Sequence, residues 1–216
     1  GIAYRDSRQT DLAASDFDRA LALKGDDLSS LEARARLRLD KGDVAGAAAD
    51  LDAADRAAPK EADIRLFLAH GYEIAERIPA AIAQLDLWLA AHDADARAAE
   101  ALNSRCWDRA LLGQELAKAL ADCNAALKRG TKSSPFNARV QDSRGLVHLR
   151  MGDYDKSMAA YDASLQVLPK NAWSLYGRGI DELRQKKTPQ GEADLAAAVK
   201  IWPKVAGEFD RRGIAP

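Results

Sequence analysis

Residues 144–169 of the sequence read RGLVHLRMGDYDKSMAAYDASLQVLP. Apolar residues recur at helical spacing as far as Met151, the pattern breaks at Gly152 and Asp153, and a second helical pattern follows. Glycine and aspartate favour turns over helix interiors, so the break indicates a short connection between two helices. The stretch therefore predicts a helical hairpin.

This unit recurs along the whole chain at a nearly constant period. Pro169 is followed by Pro203, and Gly145 by Gly179, each 34 residues later. Residues at equivalent places of six units then predict a row of stacked hairpins that share an apolar seam, with no single central core. One such place, near the end of the second helix, holds Ala20, Ala54, Trp88, Ala126, Ser164 and Ala198.

The first helix of each unit has a small residue of its own. A large side chain at such a helix crossing would force the two helices apart, at a cost of about 1–3 kcal/mol. Acidic residues also recur at one place of the second helix, in Asp16, Asp50, Asp122 and Asp194, which favours a shared structural role, either helix solvation or an inter-helix hydrogen bond, over a unique catalytic site. The small residues are Gly1, Ala35, Ala69, Cys106, Gly145 and Gly179.

The pattern resembles the tetratricopeptide repeat family over essentially the whole chain. The consensus is followed by Gly145, His148, Gly152, Asp153, Tyr154, Ser157, Tyr161, Ser164, Leu165 and Pro169. The resemblance implies an all-α fold, a right-handed α-solenoid of about six hairpins with a capping helix. The expected divisions are a partial repeat at 1–27, repeats at 28–61, 62–98, 99–137, 138–171 and 172–204, and a capping helix at 205–213.

Helix starts can be predicted from capping residues. Ser134 and Pro135 are suited to open one helix, and Pro79 and Pro189 fall where second helices should begin. We also expect Thr188 to cap the helix of Pro189, and Ser29 to form a capping box with Glu32. These signals agree with the repeat frame.

Composition and charge exclude several classes of function. The 216 residues include 32 basic and 33 acidic ones, interspersed to a net charge of −1, so no sustained positive field is present to hold a nucleic acid. Charges interrupt every apolar run before it reaches about 18 residues, and no membrane span is predicted. The chain is therefore expected neither to bind nucleic acid nor to cross a membrane.

Motifs for chemistry are missing from the sequence. The histidines His70, His92 and His148 have no partner at a metal-ligand spacing, so no metal site is expected. The sequence also lacks a glycine-rich phosphate loop and a nucleophile elbow. We predict that this chain is not an enzyme and needs no cofactor.

The two cysteines, Cys106 and Cys123, occupy facing positions in the two helices of one hairpin, so we expect them to touch. Two interpretations remain open. A reduced, buried pair is typical of a reducing compartment and would indicate a cytoplasmic protein. A disulfide would indicate export, for example to the periplasm.

The resemblance also implies which residues face the groove in which this family binds peptides. A strip of apolar and aromatic side chains flanked by arginines is suited to a peptide, although Trp107 and Trp173 fit packing between units equally well. The predicted groove residues are Phe67, His70, Trp107, Arg139, Leu146, Arg150, Trp173, Tyr176, Ile180 and Arg184.

Three functions follow from these observations. The first is a scaffold or adaptor that binds a protein or peptide segment in the groove. The second is a regulatory or substrate-recruiting domain of a larger enzyme, because the sequence begins within a repeat. Residues 103–127 also resemble repeat regions attached to bacterial aspartic-protease-like domains, although no Asp-Thr-Gly or Asp-Ser-Gly motif occurs. The third is self-association through the incomplete N-terminal repeat.

Overall fold

The computed structural model describes residues 10–130 and 134–216. Every regular element in these two ranges is a helix, which confirms the all-α class predicted from the sequence. Residues 1–9, part of the partial repeat predicted to mediate self-association, lie outside the described residues. The helices are α1 (Thr10–Leu23), α2 (Leu28–Asp40), α3 (Val44–Ala57), α4 (Ile64–Ile74), α5 (Ile78–Ala91), α6 (Ala98–Leu112), α7 (Leu116–Arg129), α8 (Pro135–Met151), α9 (Tyr154–Val167), α10 (Ala172–Arg184), α11 (Thr188–Ile201) and α12 (Val205–Arg211).

The chain divides into two compact units, residues 1–94 and 95–216. In the described part of the first unit, α2 pairs with α3 and α4 pairs with α5. Helix α1 packs on α2, and α3 packs on α4. Leu31, Leu51, Leu68 and Tyr72 form the buried core that joins the two pairs.

The second unit contains three hairpins, formed by α6 with α7, α8 with α9, and α10 with α11. The first helices of the hairpins lie side by side, since α6 contacts α8 and α8 contacts α10. Helix α12 packs on α10 and α11. The face formed by α6, α8 and α10 is the one on which the sequence places most of the predicted groove residues.

Small residues allow the close helix crossings that the sequence predicts. A Cβ atom on Gly179 would lie 2.9 Å from the main-chain oxygen of Gly191 on the paired helix. A Cβ atom on Gly145 would lie 2.6 Å from the ring of Tyr161. Both distances are shorter than a van der Waals contact, so glycine is required at these crossings.

The recurring acidic residues bind arginines of the paired helix. Arg105 donates to both carboxylate oxygens of Asp122, at 2.9 and 2.6 Å, and Arg178 does the same for Asp194, at 2.6 and 3.0 Å. Arg34 repeats the arrangement with Asp50 in the first unit. The predicted structural role of these acids is therefore confirmed for three of the four.

The predicted helix starts are confirmed in part. Ser134 caps α8 by accepting a hydrogen bond from the amide of Asn137, and Pro135 opens that helix. The other two caps are wrong. Thr188 lies inside α11, after an N-cap without a side-chain hydrogen bond, and α2 is capped by Asp27 in place of Ser29 because Asp27 accepts from the amide of Ser30.

Candidate functional site

A disulfide joins Cys106 of α6 to Cys123 of α7, with the two Cα atoms 5.5 Å apart. Both cysteines are fully buried at the crossing of their hairpin. Of the two interpretations that the sequence leaves open, the structure has the bonded one. The bond locks α6, which carries part of the cleft described next, to its paired helix.

A cleft of about 620 Å³ opens in the second unit between α6, α8 and the connection from α9 to α10. Trp107 of α6 and Trp173 of α10 meet in it edge to face, with ring centroids 4.8 Å apart. Both side chains are partly exposed. The cleft is lined by Asn103, Trp107, Arg139, Asp142, Ser143, Val167, Leu168, Pro169, Lys170, Asn171 and Trp173.

Three of the predicted groove residues line this cleft, namely Trp107, Arg139 and Trp173. Helical geometry explains how α6 contributes, because Asn103 and Trp107 are four residues apart and lie on one face of the helix. The connection after α9 forms the opposite wall with Leu168 and Pro169. The repeat pattern does not predict this wall, because the groove-facing positions that the resemblance implies lie on the first helix of each repeat.

Polar side chains on the floor of the cleft are held in a hydrogen-bond network. Ser143 donates to the amide oxygen of Asn103 at 3.0 Å. Ser174 donates to Asp142 at 2.7 Å, and burial raises the pKa of Asp142 to about 6. The side-chain oxygen of Asn171 accepts from the amide of Ser174 and so caps α10. These residues fix the shape of the cleft.

The rim of the cleft is basic. Arg139 is exposed and pairs with Glu100 at 2.7 Å, with its guanidinium 5.7 Å from the centroid of the Phe136 ring. Lys170 is exposed on the opposite side. At the entrance, therefore, the charge of Arg139 is neutralised by Glu100, whereas the structure shows no ion pair for Lys170 among the described residues.

Beyond Trp173 the same face is covered by the segment 205–215. The ring of Phe209 in α12 lies 4.9 Å from that of Trp173 and 4.7 Å from that of Tyr176. Arg150 donates to the main-chain oxygen of Arg212 at 2.8 Å. Tyr176 and Arg150 therefore lie on the predicted face, but the segment 205–215 of the same chain covers them.

Four further predicted groove residues are placed as follows. Arg184 is exposed and donates to the main-chain oxygen of Ala215 at 2.8 Å. Leu146 and Ile180 are only 1% and 0% exposed, so neither presents a surface to a ligand in this structure. In the first unit, Phe67 is half-buried beneath the guanidinium of Arg36, at 4.9 Å from the ring centroid.

His70, also in the first unit, is exposed and lies 3.4 Å from a carboxylate oxygen of Glu73. Its hydrogen bond to Glu73 raises the pKa of His70. Among residues 10–130 and 134–216, no group of three or more histidine, cysteine, aspartate or glutamate side chains is arranged to hold a metal ion.

Comparison with known proteins identifies the repeat. A sequence profile described as a tetratricopeptide repeat matches residues 1–62, 108–172 and 143–206. The chain belongs to the tetratricopeptide repeat family. The family resemblance inferred from the sequence is thus confirmed. A comparison with curated protein sequences found no match to the chain.

Solved tetratricopeptide repeat structures share the fold. A tetratricopeptide repeat protein from Parabacteroides merdae superposes with a TM-score of 0.72 at 16% identity, over 98% of this chain and 89% of that one. YrrB, described as having an unusual peptide-binding site, gives 0.59 at 16% identity, over 93% and 99%.

A chain of the APC/C hetero-tetramer Cut9–Hcn1 gives a TM-score of 0.66 at 17% identity. The match covers 98% of this chain and 41% of that one. At these identities the likeness shows the fold alone. The comparisons give no support to an aspartic-protease-like parent.

Repeat proteins of this family generally bind proteins or peptides, and the repeat is typically a scaffold without catalytic activity. Within the described ranges, no helix is long and apolar enough to cross a membrane.

Proposed function

We propose that this chain is a non-catalytic adaptor that binds an extended peptide in the cleft of its second unit. The observation that carries the proposal is the pair of tryptophans, Trp107 and Trp173, which meet edge to face and remain partly exposed in a cleft of about 620 Å³. Aromatic side chains in a concave surface are frequent centres of binding energy.

The lining indicates the chemistry of the peptide. The cleft contains an apolar slot suited to one large apolar side chain, formed by Trp107, Trp173, Leu168 and Pro169. Because the amide oxygen of Asn103 accepts from Ser143, its NH₂ group is left to donate to a main-chain carbonyl of the peptide. Lys170 at the rim favours an acidic residue beside the apolar one.

The test is binding of the purified chain to an array of synthetic peptides of random sequence. We expect bound peptides to be enriched in a large apolar residue next to an acidic one. Asn103→Ala and Lys170→Ala should each weaken binding of a selected peptide about three- to tenfold, and Trp107→Ala should weaken it at least tenfold.

The matched control is Val199→Ala, which alters an exposed apolar residue on α11, outside the cleft. Circular dichroism must show that each variant keeps its helical fold. If the selected peptides bind the three cleft variants as tightly as they bind the unchanged chain, the cleft is not the binding site.

We also infer that the chain matures in an oxidising compartment, as an exported protein does. The support is the Cys106–Cys123 disulfide, since such bonds persist mainly outside reducing compartments. Thiol counting on denatured protein purified under thiol-blocking conditions tests this inference. Two free thiols per chain would contradict it, and none would support it.

A further inference from the structure

The segment 205–215 packs on α10 and α11 through a small set of apolar residues, and Arg150 of α8 binds it by a hydrogen bond. Phe209 is fully buried against Trp173 and Tyr176, and Val205, four residues earlier and on the same side of α12, is also fully buried. Ile214, just after the helix, is 3% exposed. The contact thus has the form of a short amphipathic helix in a groove, with an aromatic residue at its centre.

Two hydrogen bonds to this segment do not depend on its sequence, whereas the guanidinium of Arg212, 5.6 Å from the centroid of the Trp173 ring, adds a contact that does. Arg150 of α8 donates to the main-chain oxygen of Arg212, and Arg184 of α10 donates to that of Ala215, both at 2.8 Å. Every peptide offers such carbonyl groups. By contrast, the charged Glu208 of the segment pairs with Arg212 of the same segment, at 2.6 Å.

Trp173 connects this contact to the cleft. Its ring meets Trp107 at 4.8 Å within the cleft and Phe209 at 4.9 Å outside it. A ligand that moves Trp173 therefore also moves the surface on which Phe209 packs. Helix α12 has seven residues, and a helix of that length is marginal unless its tertiary contacts hold it.

From these contacts we propose that the segment 205–215 is an internal ligand. It occupies a second peptide-binding surface, formed by Arg150, Trp173, Tyr176 and Arg184, and leaves it when a helical segment of a partner binds there. The partner segment carries apolar and aromatic residues four apart, followed by main-chain carbonyls for the two arginines. This inference rests on the proposed function, because both surfaces share Trp173.

The test uses the intact chain and a fluorescein-labelled synthetic peptide of residues 203–216, PKVAGEFDRRGIAP. In the unchanged chain the site is occupied at the high effective concentration of a linked segment, so the peptide should bind weakly. In the Phe209→Ala chain, whose own segment lacks its central contact, fluorescence anisotropy should show binding at least tenfold tighter.

Two controls identify the site. The same peptide with alanine in place of Phe209 should not bind the Phe209→Ala chain. Adding Arg184→Ala to that chain should weaken binding of the original peptide at least threefold, because the donor to Ala215 is lost. Equal binding of the original peptide to the unchanged chain and to a folded Phe209→Ala chain would overturn the proposal.

A second measurement covers the case in which Phe209→Ala does not fold. In the unchanged chain, hydrogen exchange of amides 206–213 should be at least tenfold faster than that of α10, because the segment opens locally. Equal rates would mean that α12 unfolds only with the whole unit, and would also overturn the proposal. Neither readout uses Asn103 or Lys170, so failure of the cleft and failure of the internal ligand are distinguishable.

Discussion

Arg178 holds Asp194 by two hydrogen bonds, with its Nε and Nη2 atoms 2.6 and 3.0 Å from the two carboxylate oxygens. Its Nη1 atom donates to Asp162 of the preceding hairpin at 2.7 Å. One side chain therefore joins α10 to its own partner helix and to α9. Arg34 makes the same two-sided contact in the first unit.

The hairpin of α8 and α9 lacks this ion pair, which leads to a first prediction. Arg144 occupies the place of Arg178, but the residue sixteen positions later, the separation seen for Arg178 and Asp194, is Ala160. The Nε atom of Arg144 has no hydrogen-bond partner among the described residues, and burial lowers the pKa of Arg144. We expect Ala160→Asp to raise the free energy of unfolding by about 0.5–1.5 kcal/mol.

Urea unfolding followed by circular dichroism measures this change. Arg144→Ala is the matched control, and in that background Ala160→Asp should be destabilising because the buried carboxylate has no partner. A gain of stability that persists without Arg144 would show that the new ion pair is not its cause.

The second prediction concerns the pH dependence of stability. Asp181 of α10 is fully buried, and the nearby Ser157 hydroxyl and Arg184 only partly offset the cost of burying its carboxylate. Burial raises the pKa of Asp181 to about 7, whereas an unfolded aspartate titrates near ~3.9. The folded chain therefore binds more protons between these values, so stability is full below about pH 4 and decreases as pH rises to about 7.

Replacing this carboxyl group should remove the share of that dependence that is due to Asp181, and leave the share due to Asp142, whose pKa is also raised by burial. We expect Asp181→Asn to raise the free energy of unfolding by about 1–3 kcal/mol at pH 8 and to change it little at pH 4. Thermal and urea unfolding at pH 4, 6 and 8 test this, with Asp155→Asn, an exposed acid on α9, as the control. A parallel shift of the two curves at all pH values would contradict the role given to Asp181.

A third prediction follows from the packing of Tyr161. Its ring lies where a side chain on Gly145 would be, so Gly145→Ala should lower the free energy of unfolding by about 1–3 kcal/mol. Gly207→Ala is the control, because a Cβ atom there would meet no other atom within 4 Å and alanine favours helix. Gly145→Ala should also be partly rescued by Tyr161→Leu, and equal effects of the two glycine substitutions would rule out crowding.

The fourth prediction concerns the disulfide. Reduction of the Cys106–Cys123 bond should lower the free energy of unfolding by about 2–4 kcal/mol, because the unfolded chain regains the freedom that the cross-link removes. Urea unfolding with and without a reductant measures the difference. A Cys106→Ala, Cys123→Ala chain should be insensitive to the reductant, and sensitivity in that chain would point to another cause.

The sequence by itself determined the helical hairpins, their order and the places at which helices cross. Gly145 and Gly179 could be assigned to crossings because the requirement for a small residue recurs at a fixed period. The acidic residues that bind an arginine of the paired helix, such as Asp50 and Asp194, recur in the same way. Such features depend on spacing along one or two neighbouring helices. Exact helix starts are less periodic, and the caps predicted at Ser29 and Thr188 were wrong for that reason.

Only the tertiary structure decided which parts of the predicted groove are open and which are covered. From the sequence, Trp107 and Trp173 fit either packing between repeats or binding of a ligand. Their contact within a cleft depends on how α6, α8 and α10 are placed. Nothing periodic relates Phe209 to Trp173, so a repeat frame does not predict their contact. Contacts between residues far apart in sequence arise from the packing of whole helices, and that is why they decide which part of the face is open and which is covered.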